Sequence, residues 1–148
     1  KCPPSVIYVK ILTMPDERDL VAGVAHLANL LNRRLAPILE KVGVTPQQYG
    51  VLASIATAGE PLTLAAVGRR LAVTKQNMTG MIVRLEQLGL VERIEDPNDL
   101  RSSRVQLTRR GRGVLDKVAP AYERWRKSIG NEQLVRAINR LIAQLEES

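Results

Sequence analysis

Residues 63–90, TLAAVGRRLAVTKQNMTGMIVRLEQLGL, constrain this chain more than any other stretch. Their apolar positions fall into two helical registers with a short break between them. In the first, Leu64, Val67 and Leu71 recur at helical spacing and leave Arg69 and Arg70 on the other face, with Thr63 placed as N-cap. Gly68 sits inside this helix, where glycine costs about 1 kcal/mol against alanine. A close neighbour that excludes a side chain would account for it. Ala72-Val73-Thr74 then supplies a small residue, an apolar plug and a second N-cap. The next helix turns Met78, Met81, Ile82, Leu85 and Leu88 inward and stops at Gly89. Its outward face carries Lys75, Gln76, Thr79 and Gly80, with Arg84 further along. This is the spacing of a helix-turn-helix, whose second helix stands clear of the body and enters a major groove. An ordinary αα-corner in a core fits the same residues, and what lies downstream weighs between the two.

After Gly89 the period changes from 3.6 to 2. Residues 91–95 (VERIE) and 104–108 (RVQLT) are strand-like, and residues 96–103 (DPNDLRSS) are rich in turn formers. The expectation is a β-hairpin with a long polar tip, attached to the reading helix and carrying Arg101 and Arg104. A winged helix results, with a hairpin that can reach an adjacent minor groove. Asp99 and Arg101 stand two apart, so the carboxylate is expected to hold the guanidinium in an extended pose.

Charge agrees with a polyanion partner. The chain carries a net +7, and residues 63–113 hold ten Lys/Arg against five Asp/Glu. The excess therefore lies on the reading head. With 148 residues, 45% apolar and only 3% aromatic, the core is built from Leu, Val, Ile and Ala, which favours helices.

The flanks are helical. From Pro15 the residues Leu20, Val24, Leu27, Leu31, Leu35, Ile38 and Val42 form one stripe, closed by Gly43. A stripe so long suggests a partner helix. Thr45-Pro46-Gln47-Gln48 reads as a capping box opening a helix that ends before Gly59. Thr108 caps a further helix that Pro120 is expected to kink or interrupt. Asn131 caps a last one, with Leu134, Ile138, Leu141, Ile142 and Leu145 on one side. The surplus apolar surface of both terminal regions fits a second copy of the chain. The fold class is mainly α with a small β-hairpin wing: a winged helix-turn-helix at 45–113, flanked by dimerisation helices at 15–44 and 114–148. Residues 1–14 form an N-terminal arm, either ordered or preceding an internal start at Met14.

In this order of elements the chain resembles the MarR family of multiple-antibiotic-resistance-type regulators. The residues carrying the resemblance are LAVTKQNMTGMIVRLEQLGLVER and DPNDLRSSRVQLTRRG. Asp99, Arg101 and Ser102 match the family's D-R-R-S run, and Val105, Leu107, Thr108 and Gly111 its V-x-L-T-x-x-G. Arg93 matches the arginine closing the first wing strand. Leu100 departs from the family, where arginine is usual. The resemblance implies a homodimer on a pseudo-palindromic duplex operator, usually a repressor, released by a small aromatic or phenolic effector bound between the dimerisation helices and the winged helix. The residues assigned to DNA are Thr74, Lys75, Gln76, Asn77, Thr79 and Arg84 on the reading helix and Asn98, Asp99, Arg101, Ser102 and Arg104 on the wing. Gln76 and Thr79 are placed on base edges and Thr74 on a phosphate. His26, Tyr49 and Trp125 are candidates for the effector pocket, and each also fits an ordinary core or interface role.

Other classes find little to stand on. Cys2 and His26 are the chain's one cysteine and one histidine, and no Gly-rich phosphate loop is present, so neither enzyme chemistry, a metal site nor a cofactor is expected. The resemblance implies that thiol sensing, where it occurs, uses a cysteine in the first helix; Cys2 lies upstream of that helix, so thiol sensing is not expected. No apolar run reaches 18 residues, and a cytoplasmic location without membrane contact is expected. The remaining rival is a winged helix used as a protein–protein module without DNA.

Overall fold

A computed structural model describes residues 19–147 of the chain. Both the arm expected over residues 1–14 and the helix start expected at Pro15 lie outside them. The first helix, α1, is Leu20–Glu40, opened by Asp19, whose carboxylate accepts the Ala22 N–H at 3.0 Å. It ends two residues before Val42, and Gly43 turns the chain at φ +73°. The expected stripe divides along its length. Leu35 and Leu39 are buried, whereas Leu20 and Val24 are 60% and 51% exposed.

Helix α2, Pro46–Ala58, begins with the expected capping box. The Gln48 N–H donates to Thr45 Oγ1 at 3.2 Å, and the Thr45 N–H donates to Gln48 Oε1 at 2.9 Å. A short strand, β1 (Leu62–Thr63), leads into α3 (Leu64–Leu71), and α4 (Lys75–Gln87) follows across the turn. The hairpin is β2 (Val91–Asp96) and β3 (Asp99–Leu107), succeeded by α5 (Arg109–Ser128) and α6 (Glu132–Glu146). The three strands form an antiparallel sheet in the order β1-β3-β2, with Leu62 opposite Val105 and Arg93 opposite Val105 on the other side.

Three sequence expectations need correction. The hairpin tip is short: β3 starts at Asp99 and Asp96 pairs with Asp99, leaving Pro97 and Asn98 as the turn. The polar residues that resembled a loop continue β3, paired with β2 at Asp99 and Ser103 and tied between those rungs by the side chains of Asp99 and Asp96, while solvent takes most of their own side chains. Pro120 does not end α5, which runs on to Ser128. The ring removes one backbone hydrogen bond, but buried Val114 and Val118 before it and half-buried Tyr122 and Trp125 after it hold the helix to the core. Leu88 is 38% exposed, and Leu90 is buried in the place expected for it, because Gly89 at φ +70° redirects the chain.

One core joins the elements. Leu39, Leu52, Val67, Met78, Ile82, Leu85, Val105 and Val118 are all fully enclosed in it. Helix α6 contributes nothing: none of its residues is buried, and its apolar side Leu134, Ile138, Ile142 and Leu145 faces solvent.

Candidate nucleic-acid interface

The helix-turn-helix is set by its turn. Thr63 Oγ1 caps α3 by accepting the Ala66 N–H at 3.2 Å, and Thr74 Oγ1 caps α4 by accepting the Asn77 N–H at 3.3 Å. Between them Ala72 takes a left-handed backbone at φ 52°. The close neighbour of Gly68 is this turn: a Cβ there would stand 2.8 Å from the Val73 carbonyl oxygen, which is backbone and has no rotamer to yield. A glycine at this position thus lets α3 and the turn close tightly enough to fix the pose of α4.

Helix α4 is held by one face only. Met78, Ile82 and Leu85 are buried, while Lys75, Gln76, Asn77, Thr79 and Arg84 are exposed. No acidic residue lies in its first turn. The first backbone N–H groups of a helix have no internal partner and, with the macrodipole, favour an anion there. Thr79 Oγ1 donates to the Lys75 carbonyl at 3.0 Å and keeps its lone pairs for accepting. At the far end, Arg93 Nε lies 3.1 Å from both Glu86 carboxylate oxygens, tying α4 to β2.

In the wing the ionic contacts differ from the sequence expectation. The Asp99 carboxylate does not hold the Arg101 guanidinium. Its Oδ1 accepts the Arg101 backbone N–H at 2.9 Å, and the Arg101 side chain is exposed, with no ion pair among the described residues. The paired arginine is Arg104, whose Nε is 3.1 Å from Asp96 Oδ2 and whose NH1 donates to the Pro61 carbonyl at 3.4 Å. Asp96, absent from the expected residues, is the hub. It is buried, accepts the Asn98 N–H at 2.9 Å, and accepts the Ser102 hydroxyl at 3.1 Å. The Asn98 N–H, opposed by burial and helped by Arg104 and Ser102, holds its carboxyl below the usual carboxylate range. Of the assigned wing residues, Asn98, Asp99 and Arg101 are thus exposed, while Ser102 and Arg104 are half-buried and internally bonded. An Asp before Pro in a turn was the available signal for Asp96, since that side chain readily caps backbone two residues on.

The three candidate pocket residues do not converge. Tyr49 and Trp125 flank Tyr122, with ring centroids 5.3 Å and 5.9 Å apart along the row. Burial, then Tyr122 and Glu123, pushes the Tyr49 hydroxyl above its ordinary value. His26 is exposed on α1 and takes no part in that row. A separate cleft of about 430 Å³ opens between α1 and α5, lined by Pro37, Ile38, Val42, Val118 and Ala121 together with Lys41 and Lys117. Among the described residues, no helix is long and apolar enough to cross a membrane.

Comparison with known proteins agrees with this geometry. A sequence profile described as the MarR family matches residues 42–102, from the end of α1 to the wing tip. The transcriptional activatory protein BadR of Rhodopseudomonas palustris is 35% identical over 94 residues, 62% of this chain and 54% of BadR. The chain thus spans about half the length of that relative. The HTH-type transcriptional regulator FarR of Neisseria gonorrhoeae is 25% identical over 137 residues, 90% of this chain and 92% of FarR. Among solved structures, NadR in complex with 4-hydroxyphenylacetate superposes with a TM-score of 0.68 at 25% identity, over 90% of this chain and 96% of that one.

Proposed function

We propose that the chain, which matches the MarR family over residues 42–102, is a dimeric, sequence-specific DNA-binding transcriptional regulator of that family. The observation that carries the proposal is α4: it buries Met78, Ile82 and Leu85 and leaves Lys75, Gln76, Asn77 and Thr79 exposed on its first two turns. Those side chains suit base edges and phosphates, and a major groove admits a helix of this kind. Exposed Arg101 on the wing supplies a cation for the neighbouring minor groove, most favoured where the groove is narrow.

Dimerisation follows from surface that one chain leaves uncovered. Helix α6 buries no residue, and Leu20, Val21, Val24 and Leu27 at the start of α1 are exposed in the same way. A self-complementary two-fold contact would cover both stripes and pair two α4 helices for an inverted-repeat operator. The regulator acts as a repressor released by a small aromatic or phenolic effector. The cleft between α1 and α5 supports this, since its apolar walls suit a ring and Lys41 and Lys117 suit an acid group. NadR, known with a bound hydroxyaryl acid, supports the same class.

Selection from a pool of random 30-bp duplexes tests the proposal, followed by titration of the enriched duplex at several salt concentrations. An enriched inverted repeat, weakened by 4-hydroxyphenylacetate or a related acid, is the expected outcome. Binding of all duplexes alike, or of none, would instead favour a winged helix used for protein contacts.

A further inference from the structure

The wing tip is a pinned bulge. Asp96 pairs with Asp99, yet the next rung joins Glu95 to Ser103, so Leu100, Arg101 and Ser102 stand on β3 with no partner residue on β2. Bulges of this kind re-aim side chains and are common beside functional sites. This one is tied down by the Arg101 N–H to Asp99 Oδ1 at 2.9 Å and by the Ser102 hydroxyl to Asp96 Oδ2 at 3.1 Å. Asp96 is in turn buried and bonded to the Asn98 N–H at 2.9 Å. Two adjacent side chains are left in solvent by this arrangement, Arg101 and Leu100. At 83% exposure, Leu100 is the most exposed large apolar side chain among the described residues. The fold gains nothing from its being apolar, because burial is what makes an apolar side chain stabilising.

We propose that Leu100 is an apolar wedge, entering the DNA minor groove beside Arg101 and partly unstacking one base step in each half-site. The proposal rests on the DNA-binding function argued above and names a specificity determinant for it. Apolar side chains set next to arginines are the means by which minor-groove proteins unstack and kink a duplex. The charge of Arg101 draws the tip to the groove, and the pinned bulge limits the ordering needed on arrival. Because steps differ in how easily they unstack, pyrimidine–purine steps most of all, the wedge reads sequence where no hydrogen bond is made.

The test uses the full chain and a duplex enriched by the wild type from the random pool, with 2-aminopurine placed at successive steps under the wing. Wild type should raise the fluorescence at one step per half-site. Leu100→Ala should abolish that rise and bind about tenfold more weakly with an unchanged salt slope, since no charge is lost. Leu100→Arg should also abolish the rise while steepening the salt slope by about one unit. Because the side chain packs on nothing, both variants should keep the wild-type circular dichroism. If Leu100→Ala matches wild type in affinity and fluorescence, the wedge is overturned while DNA reading stands. If the wild type enriches no duplex, both are overturned.

Discussion

Gly111→Ala should be among the most damaging single-methyl additions this chain can suffer. Gly111 lies in the first turn of α5, and a Cβ there would fall inside contact distance of the Leu90 carbonyl oxygen, with the Leu90 carbonyl carbon 3.0 Å away. Both atoms are backbone, so the helix itself has to move. The same carbonyl accepts the Thr108 N–H at 3.1 Å, while the Thr108 hydroxyl donates to the Gly89 carbonyl at 2.7 Å. Overpacking of this kind costs about 1–3 kcal/mol. Loosening these two bonds adds about 1 kcal/mol each, and the better helix propensity of alanine returns up to about 1 kcal/mol. The net loss is about 2–5 kcal/mol. Gly113, two residues on, has nothing within 4 Å of its Cβ position. Gly113→Ala should therefore gain about 0.5–1 kcal/mol from the same propensity term. Urea denaturation followed by circular dichroism, at one fixed protein concentration, measures both. Equal stability of Gly111→Ala and Gly113→Ala would refute the close approach of α5 to the end of the reading head.

Three further outcomes are expected. Sedimentation at micromolar concentration should give about twice the 16.4 kDa chain mass, and deletion of residues 131–148 should produce monomer or aggregate; a wild-type monomer would remove the proposed role of the uncovered stripes. Arg101→Ala should lose operator affinity and lower the salt slope by about one unit, whereas Asp99→Ala should keep that slope because the Arg101 cation that meets the phosphates remains and only the carboxylate that accepts its backbone N–H is lost. Stability should also carry an acid limb from Asp96, whose folded value is depressed. Its contribution is complete above the ordinary carboxylate range and is lost as pH falls through the lower folded value, so Asp96→Asn should flatten the limb seen in acid unfolding.

How much the sequence reveals depends on whether a signal is local. Thr45, Thr63, Thr74, Thr108 and Asn131 all cap as their positions suggest, because a cap needs only its own side chain and an N–H three residues on. The buried face of α4 is legible from its helical period for the same reason. The wing is less so. Asp99 and Arg101 are near in sequence and suggest an ion pair, but the bulge sends the carboxylate to backbone and pairs Arg104 with Asp96. That choice depends on the register of β2 against β3 and on β1, two residues long and too short to carry a period. The chosen pocket residues fail similarly. Tyr49 and Trp125 meet Tyr122 across two helices, while the α1–α5 cleft is lined by aliphatic residues and lysines that no motif marks.

Hydroxyl-radical footprinting on the enriched duplex tests the central claim most directly, because it reads dimer, helix and wing together. Two α4 helices related by a two-fold axis should protect two blocks whose centres lie about one helical turn apart, or a multiple of it, about 10 bp per turn. Each block should be flanked on its outer side by a minor-groove protection that disappears in Arg101→Ala. Protection without two-fold symmetry, or no protection at concentrations that saturate binding, would contradict the account.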